Sequence, residues 1–195
     1  SLPIGALTLT GTYQKGDEYT PKELEKMTKA VKKTIKEHSW LHNVKLPLLG
    51  IGGTARNIAK IDQRKLSYPI TKLHNYELPY HRFHEILEDV KGKSLEARKK
   101  ISGLSSERAD IIIAGLTIVD ELFNYVNAKT LVVGGCGLRE GLFYDYYGEY
   151  YLGGNSIIDD ILVHSAENVL LGMTKHELVH AKYITKLATT LYDAL

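Results

Sequence analysis

Three sets of residues in this chain are of types that bind or cleave phosphates or hold metals. Gly52, Gly53 and Thr54 follow the apolar run Leu46 to Ile51. Gly134 and Gly135 follow Leu131-Val132-Val133 and precede Gly137-Leu138-Arg139-Glu140-Gly141. A strand that enters a helix through glycines aims unpaired backbone N–H groups, and the positive end of the helix dipole, at one point. Glycine has no Cβ to hold a ligand away. Two such units imply a phosphate or nucleotide cleft; two tight turns without a ligand are the alternative. Neither unit has the dinucleotide-fingerprint spacing or the P-loop lysine. Among the arginines, Arg108 is of the type that grips phosphate bidentately, or else it pairs with Asp110 at a helix start. Arg139 pairs with Glu140 or reaches a ligand. Arg56 lies past the first helical residue, further from such a ligand.

The third set is His176-Glu177-Leu178-Val179-His180, an H-E-x-x-H spacing. On a helix it puts two imidazoles on one face for zinc, with Glu177 as general base of a metallohydrolase. Random placement gives this spacing in roughly one chain of this composition in forty. No third ligand is evident downstream, so two helix-surface histidines are the plainer reading. The other histidines form no ligand spacing. Cys136 is the single cysteine. It rules out an internal disulfide, fits a reducing cytoplasm, and receives no role.

The elements that must position these residues follow from pattern and composition. The chain has 195 residues, 44% hydrophobic and 25% charged, with a formal net charge of +2. That is ordinary for a globular protein and indicates no bulk attraction to nucleic acid or membrane. No apolar run approaches a membrane span, and no targeting segment opens the chain. Residues 4–13 alternate as a strand. Thr20-Pro21-Lys22-Glu23 is a capping box for a helix with Leu24, Met27, Val31 and Ile35 on one stripe and six lysines elsewhere, a solvated face or a polyanion contact. Residues 46–51 form a strand, and Thr54 N-caps a helix over 55–61. Residues 67–79 read as loop. Helices are predicted over 80–90, 94–101, 107–127 and 138–147, with a strand over 130–133. The alternation indicates α/β architecture with parallel pairing. After Gly153-Gly154 only helices are predicted, over 156–171 and 174–195. The domains are therefore 1–152 and a helical tail, 153–195, that begins a truncated third domain. Both ends read as cut from something longer.

Three stretches occur in a family order: Gly52-Gly53-Thr54-Ala55-Arg56, Ser106-Glu107-Arg108-Ala109-Asp110-Ile111-Ile112-Ile113-Ala114-Gly115 and Gly137-Leu138-Arg139-Glu140-Gly141. Over about residues 1–150 the chain resembles the exopolyphosphatase / guanosine pentaphosphate phosphohydrolase family. The resemblance also takes Ser1 to Leu7 as the strand after the family's second phosphate loop. It implies a ribonuclease-H-like half of the actin/sugar-kinase superfamily with a helical C-terminal extension. It implies magnesium-assisted release of terminal phosphate from inorganic polyphosphate or guanosine pentaphosphate. The catalytic glutamate and the aspartate-glycine phosphate loops would lie in a missing N-terminal half, so this fragment alone would be inactive and supply no catalytic residue or metal ligand. Gly52, Gly53, Thr54, Arg108, Gly134, Gly135 and Arg139 would bind phosphate or substrate. The expected partners are the substrate and the missing domain, with a homodimer open, and with neither a membrane nor sequence-specific nucleic acid. A phosphate- or nucleotide-binding module without catalysis, and a zinc hydrolase, are the competing readings.

Overall fold

In the computed structural model the start of the chain is helical, which corrects the expected strand: α1 spans Ala6–Tyr13. Thr8, Thr10 and Gly11 are poor helix formers, so packing must hold it. Leu9 is buried, and Ala6 and Tyr13 pack partly on the core. The structure describes residues 2–151, 153, 163, 166, 169, 170 and 178–194. The chain divides into two compact units, Ser1–Arg139 and Glu140–Leu195. Leu152, at the expected domain boundary, lies outside the described residues.

In the first unit, α2 (Pro21–Lys36) starts at the capping box read from sequence. The Thr20 hydroxyl accepts the Glu23 N–H at 3.3 Å, and the Glu23 carboxylate accepts the Thr20 N–H at 2.8 Å. These bonds hold the Glu23 carboxyl below the usual carboxylate range. Met27, Val31 and Ile35 are buried. They face α6 (Ile112–Val126), the central helix, which buries Ile112, Ile113, Ala114, Leu116 and Phe123. The six lysines of α2 are exposed.

A three-stranded sheet lies beside these helices in the order β1-β3-β2. β1 (Leu48–Gly50) runs parallel to β3 (Thr130–Val133), with Leu48 opposite Leu131 and Gly50 opposite Val133. β2 (Tyr76–Pro79) pairs antiparallel with β3, Leu78 opposite Leu131. It lies where a loop was expected. Tyr76 and Leu78 point inward and Glu77 outward, a two-residue period too short to stand out. Pro79 then caps α4 (Tyr80–Lys91). The rings of Tyr80, Phe83 and Phe123 cluster with centroids 5.0 and 5.1 Å apart about Phe123. Burying each phenylalanine contributes about 2–3 kcal/mol.

α3 (Gly53–Lys65) packs Ile58, Ala59 and Ile61 inward. Its Asp62 accepts a 2.6 Å hydrogen bond from the Tyr76 hydroxyl. Burial and the Asp62 carboxylate push the Tyr76 phenol upward. α5 (Leu95–Lys99) is capped by Ser94, whose hydroxyl accepts the Ala97 N–H at 3.3 Å. The long helix expected from Glu107 starts instead at Ile112, after a 3₁₀ turn over Ser106–Arg108. Arg98 explains the break. Fully buried, it donates to the carbonyls of Ala109 at 2.7 Å, Asp110 at 3.4 Å and Asp17 at 3.1 Å. Carbonyls turned towards Arg98 are not spent on a helical ladder.

In the second unit, α7 (Leu138–Tyr151, counted in this unit from Glu140) carries Phe143, Tyr147 and Tyr151 as a stacked, exposed row with centroids 5.9 and 5.2 Å apart. α8 spans Leu178–Asp193. No helix among the described residues is long and apolar enough to cross a membrane.

Candidate functional site

The parallel pairing of β1 and β3 sets their two glycine turns side by side at the carboxyl ends of adjacent strands, the place where open α/β sheets bind ligands. Gly52 has φ +97°, a conformation suited to glycine, and stands as the N-cap of α3 without a side-chain cap bond. Its carbonyl accepts the Arg56 N–H at 3.1 Å, the first bond of the helix. The N–H groups of Gly53, Thr54 and Ala55 have no acceptor among the described residues. Thr54 is therefore not the N-cap expected from sequence. It is the second helical residue, and its side chain lies against Gly115 of α6: a Cβ there would sit 2.9 Å from the Thr54 hydroxyl oxygen. Thr54 thus offers this point its backbone N–H, while its hydroxyl is turned on α6.

Arg108 is brought directly over this helix start. Its guanidinium fills the space a side chain at Gly53 would need. Half-buried, it has no hydrogen-bond or ion-pair partner among the described residues. The rival pairing with Asp110 is not formed, since the Asp110 carboxylate accepts the Ile111 N–H at 2.8 Å. Arg56 is closer to the point than its sequence position suggests: its Nε donates to the Gly52 carbonyl at 3.4 Å. Two guanidinium groups and three unspent N–H donors thus converge on the first turn of a thirteen-residue helix. Such a point has the donors and charge that suit a phosphate or another compact anion.

Asn57, which sequence reasoning missed, fixes the arrangement. Its Nδ2 donates to the Gly53 carbonyl at 2.8 Å, and its Oδ1 accepts the Ser105 N–H at 2.7 Å. The loop that ends in Arg108 is thereby tied to the helix whose start it covers. A polar residue one turn into an otherwise buried helix face was the available signal.

The second turn is occupied differently. The Gly134 N–H donates to the Gly50 carbonyl at 2.8 Å, extending the β1–β3 pairing. The Gly135 N–H donates to His74 Nδ1 at 3.2 Å. These glycines offer a ligand proximity rather than donors. Cys136 is exposed and free. Arg139 is exposed on the first turn of α7, with no bond to Gly53 or Arg108 among the described residues. Of the H-E-x-x-H group, His180 is exposed on α8, and His176 and Glu177 lie outside the described residues. Among the described residues no three His, Cys, Asp or Glu side chains cluster as a metal-binding set.

The family model described as the Ppx/GppA phosphatase family matches residues 1–149. The bifunctional 3-dehydroquinate synthase/phosphatase of Fusobacterium nucleatum is 25% identical over 136 residues, covering 68% of this chain and 20% of that protein. The Ppx/GppA family member of Aquifex aeolicus is 28% identical, with a TM-score of 0.65, over 77% of this chain and 49% of that one. An exopolyphosphatase from Cytophaga hutchinsonii shares the fold at 19% identity and a TM-score of 0.68, over 75% of this chain and 48% of that one. The chain spans about half the length of these solved structures and a fifth of the curated relative. Its mixed α/β, mostly helical fold is that of the actin/sugar-kinase superfamily, as the resemblance implied. The match over residues 1–149 and the likeness of fold establish that the chain belongs to the Ppx/GppA phosphatase family.

Proposed function

We propose that residues Gly52 to Arg56, with Arg108, form one wall of a phosphate cleft in a phosphoanhydride hydrolase. The enzyme would release terminal phosphate from inorganic polyphosphate or guanosine pentaphosphate. The observation that carries this is the Arg108 guanidinium set over Gly53 at the uncapped start of α3. Cleavage of a phosphoanhydride is mainly positioning and neutralisation of charge on the phosphate oxygens. Arg108 and Arg56 would take up that charge, and the N–H groups of Gly53, Thr54 and Ala55 would orient the phosphoryl oxygens. Gly134 and Gly135 would let the substrate pass close to the second turn, and Arg139 would meet its outer part. The base that orients water would come from an N-terminal half outside this chain. Magnesium is expected with the substrate phosphates. The described residues hold no ligand set for it, and none of these roles runs through it.

Phosphate release by the full-length protein tests this reading. Activity on either substrate, reduced on the order of 30- to 100-fold in kcat/KM by Arg108→Ala, is the expected result. No release from either substrate would refute the activity.

A further inference from the structure

Past the anion point, the surface of α3 carries a second feature that the proposed cleft does not use. The loop from Ser102 to Arg108 runs antiparallel beside α3. Arg108 covers Gly53, the Ser105 N–H is held by Asn57, and Gly103 lies on the backbone of Lys60. Gly103 has φ +94°, and a Cβ there would come within 2.6 Å of the Lys60 carbonyl. From Gly53 to Lys60 is about 10 Å along the helix. There a polar groove of about 730 Å³ opens, lined by Lys60, Arg64, Ser67, Thr71, Ser102 and Ser105 among others, and by no acidic residue. Lys60 and Arg64 are exposed and have no ion-pair partner among the described residues. Arg64 also borders a neighbouring depression of about 510 Å³ that contains Lys100. The one carboxylate there, Asp89, is already held by Lys65 at 3.6 Å and by Lys93.

We propose that this groove is a distal phosphate subsite. Lys60 and Arg64, with Lys100 beyond, would hold the inner residues of a linear polyphosphate whose end lies at Gly53 and Arg108. The proposal rests on the cleft proposed above and selects polyphosphate over guanosine pentaphosphate. A row of cations flanked by hydroxyls suits a chain that is charged at every unit and carries no bases. Single-stranded RNA would need rings to stack on. Among the described residues the only ring lining the groove is Tyr68, which is held edge-on by Tyr76 with centroids 5.4 Å apart.

The test uses the full-length protein with Lys60 and Arg64 both changed to Gln; both side chains are exposed, so the thermal midpoint should stay within a few degrees. KM for long-chain polyphosphate should rise about tenfold with kcat unchanged, from about a factor of a few per cation. KM for tripolyphosphate and guanosine pentaphosphate should not move. The salt dependence of long-chain binding should become shallower by roughly one to two in log–log slope. Lys60→Glu should shift long-chain KM further in the same direction. An equal shift for short and long substrates, or none for long chains, overturns the proposal. So does a labelled single-stranded RNA that binds as tightly as polyphosphate and weakens equally. Binding of labelled polyphosphate is read separately from turnover: lost long-chain binding in a protein that releases no phosphate supports the groove and refutes only the activity.

Discussion

The Arg108 guanidinium occupies the volume that a side chain on Gly53 would require. Gly53→Ala therefore moves Arg108 rather than the helix, because the displaced group is the end of a flexible chain. Alanine also suits a helical position better than glycine, by about 0.5–1 kcal/mol. The unfolding free energy of Gly53→Ala should fall by less than about 1 kcal/mol. Its kcat/KM should drop nearly as far as that of Arg108→Ala. The double variant should be little worse than either single one, since both remove the same guanidinium from the same place. Additive losses in a double-mutant cycle would show that Arg108 acts elsewhere.

Asn57 joins the Gly53 carbonyl to the Ser105 N–H. Asn57→Ala leaves the Ser105 N–H without its acceptor and the Gly53 carbonyl with its helical bond alone, and should cost about 1–3 kcal/mol in urea unfolding. Asn57→Asp keeps an acceptor for Ser105 but faces the Gly53 carbonyl with a carboxylate oxygen and brings negative charge to the anion point. It should lose more phosphate affinity than Asn57→Ala, measured as KM or as inorganic phosphate inhibition. The reverse order would remove charge from the explanation.

Arg98 is a structural cation with three carbonyls around it. Burial draws its pKa below the usual arginine value, and its Nε has no hydrogen-bond partner among the described residues. Arg98→Met empties the fork and leaves those carbonyls without donors. A loss of roughly 3–5 kcal/mol is expected. It should appear as a lower urea midpoint at unchanged slope. A change below about 1 kcal/mol would mean that the carbonyls find water instead.

Glu121 of α6 is buried, with Lys32 at 3.5 Å. Burial pushes its carboxyl up, and Lys32 offsets this in part. With its pKa raised in the folded state, the folded protein binds the proton more tightly than the unfolded one. Stability is then lost as pH rises from the unfolded carboxylate value through the folded one. Glu121→Gln should be more stable than the parent at neutral pH, and the gap should close as pH falls through the usual carboxylate range. A parent that is the more stable at neutral pH would show that the Lys32 pair outweighs burial.

Local chemistry was readable where it decides the structure. The Thr20–Glu23 box sets the start of α2, and the β-branched run at Thr130–Val133 is a strand with the expected bounds. The Gly52-Gly53 turn and Arg108 stood out in the sequence as candidates for phosphate; that they meet is a fact of the fold. What tertiary contacts decide was not legible. Residues 6–13 have the composition of a strand, yet burial of Leu9 makes them a helix. The helix expected from Glu107 is cut by Arg98, which sits on α5 and leaves no mark in the residues it interrupts. The donors of Gly134 and Gly135 are consumed by Gly50 and His74, partners far away in sequence.

The parallel pairing of Leu48 with Leu131 has a kinetic consequence. Everything from α3 to α6 lies between them along the chain, so the ladder can close only after that long loop has been gathered. Helices such as α2 and α4 form from near neighbours and need not wait. Closure across such a separation is slow. During refolding the two glycine bends should come together late, and amide protection at Gly134 should lag behind protection in the interior of α6.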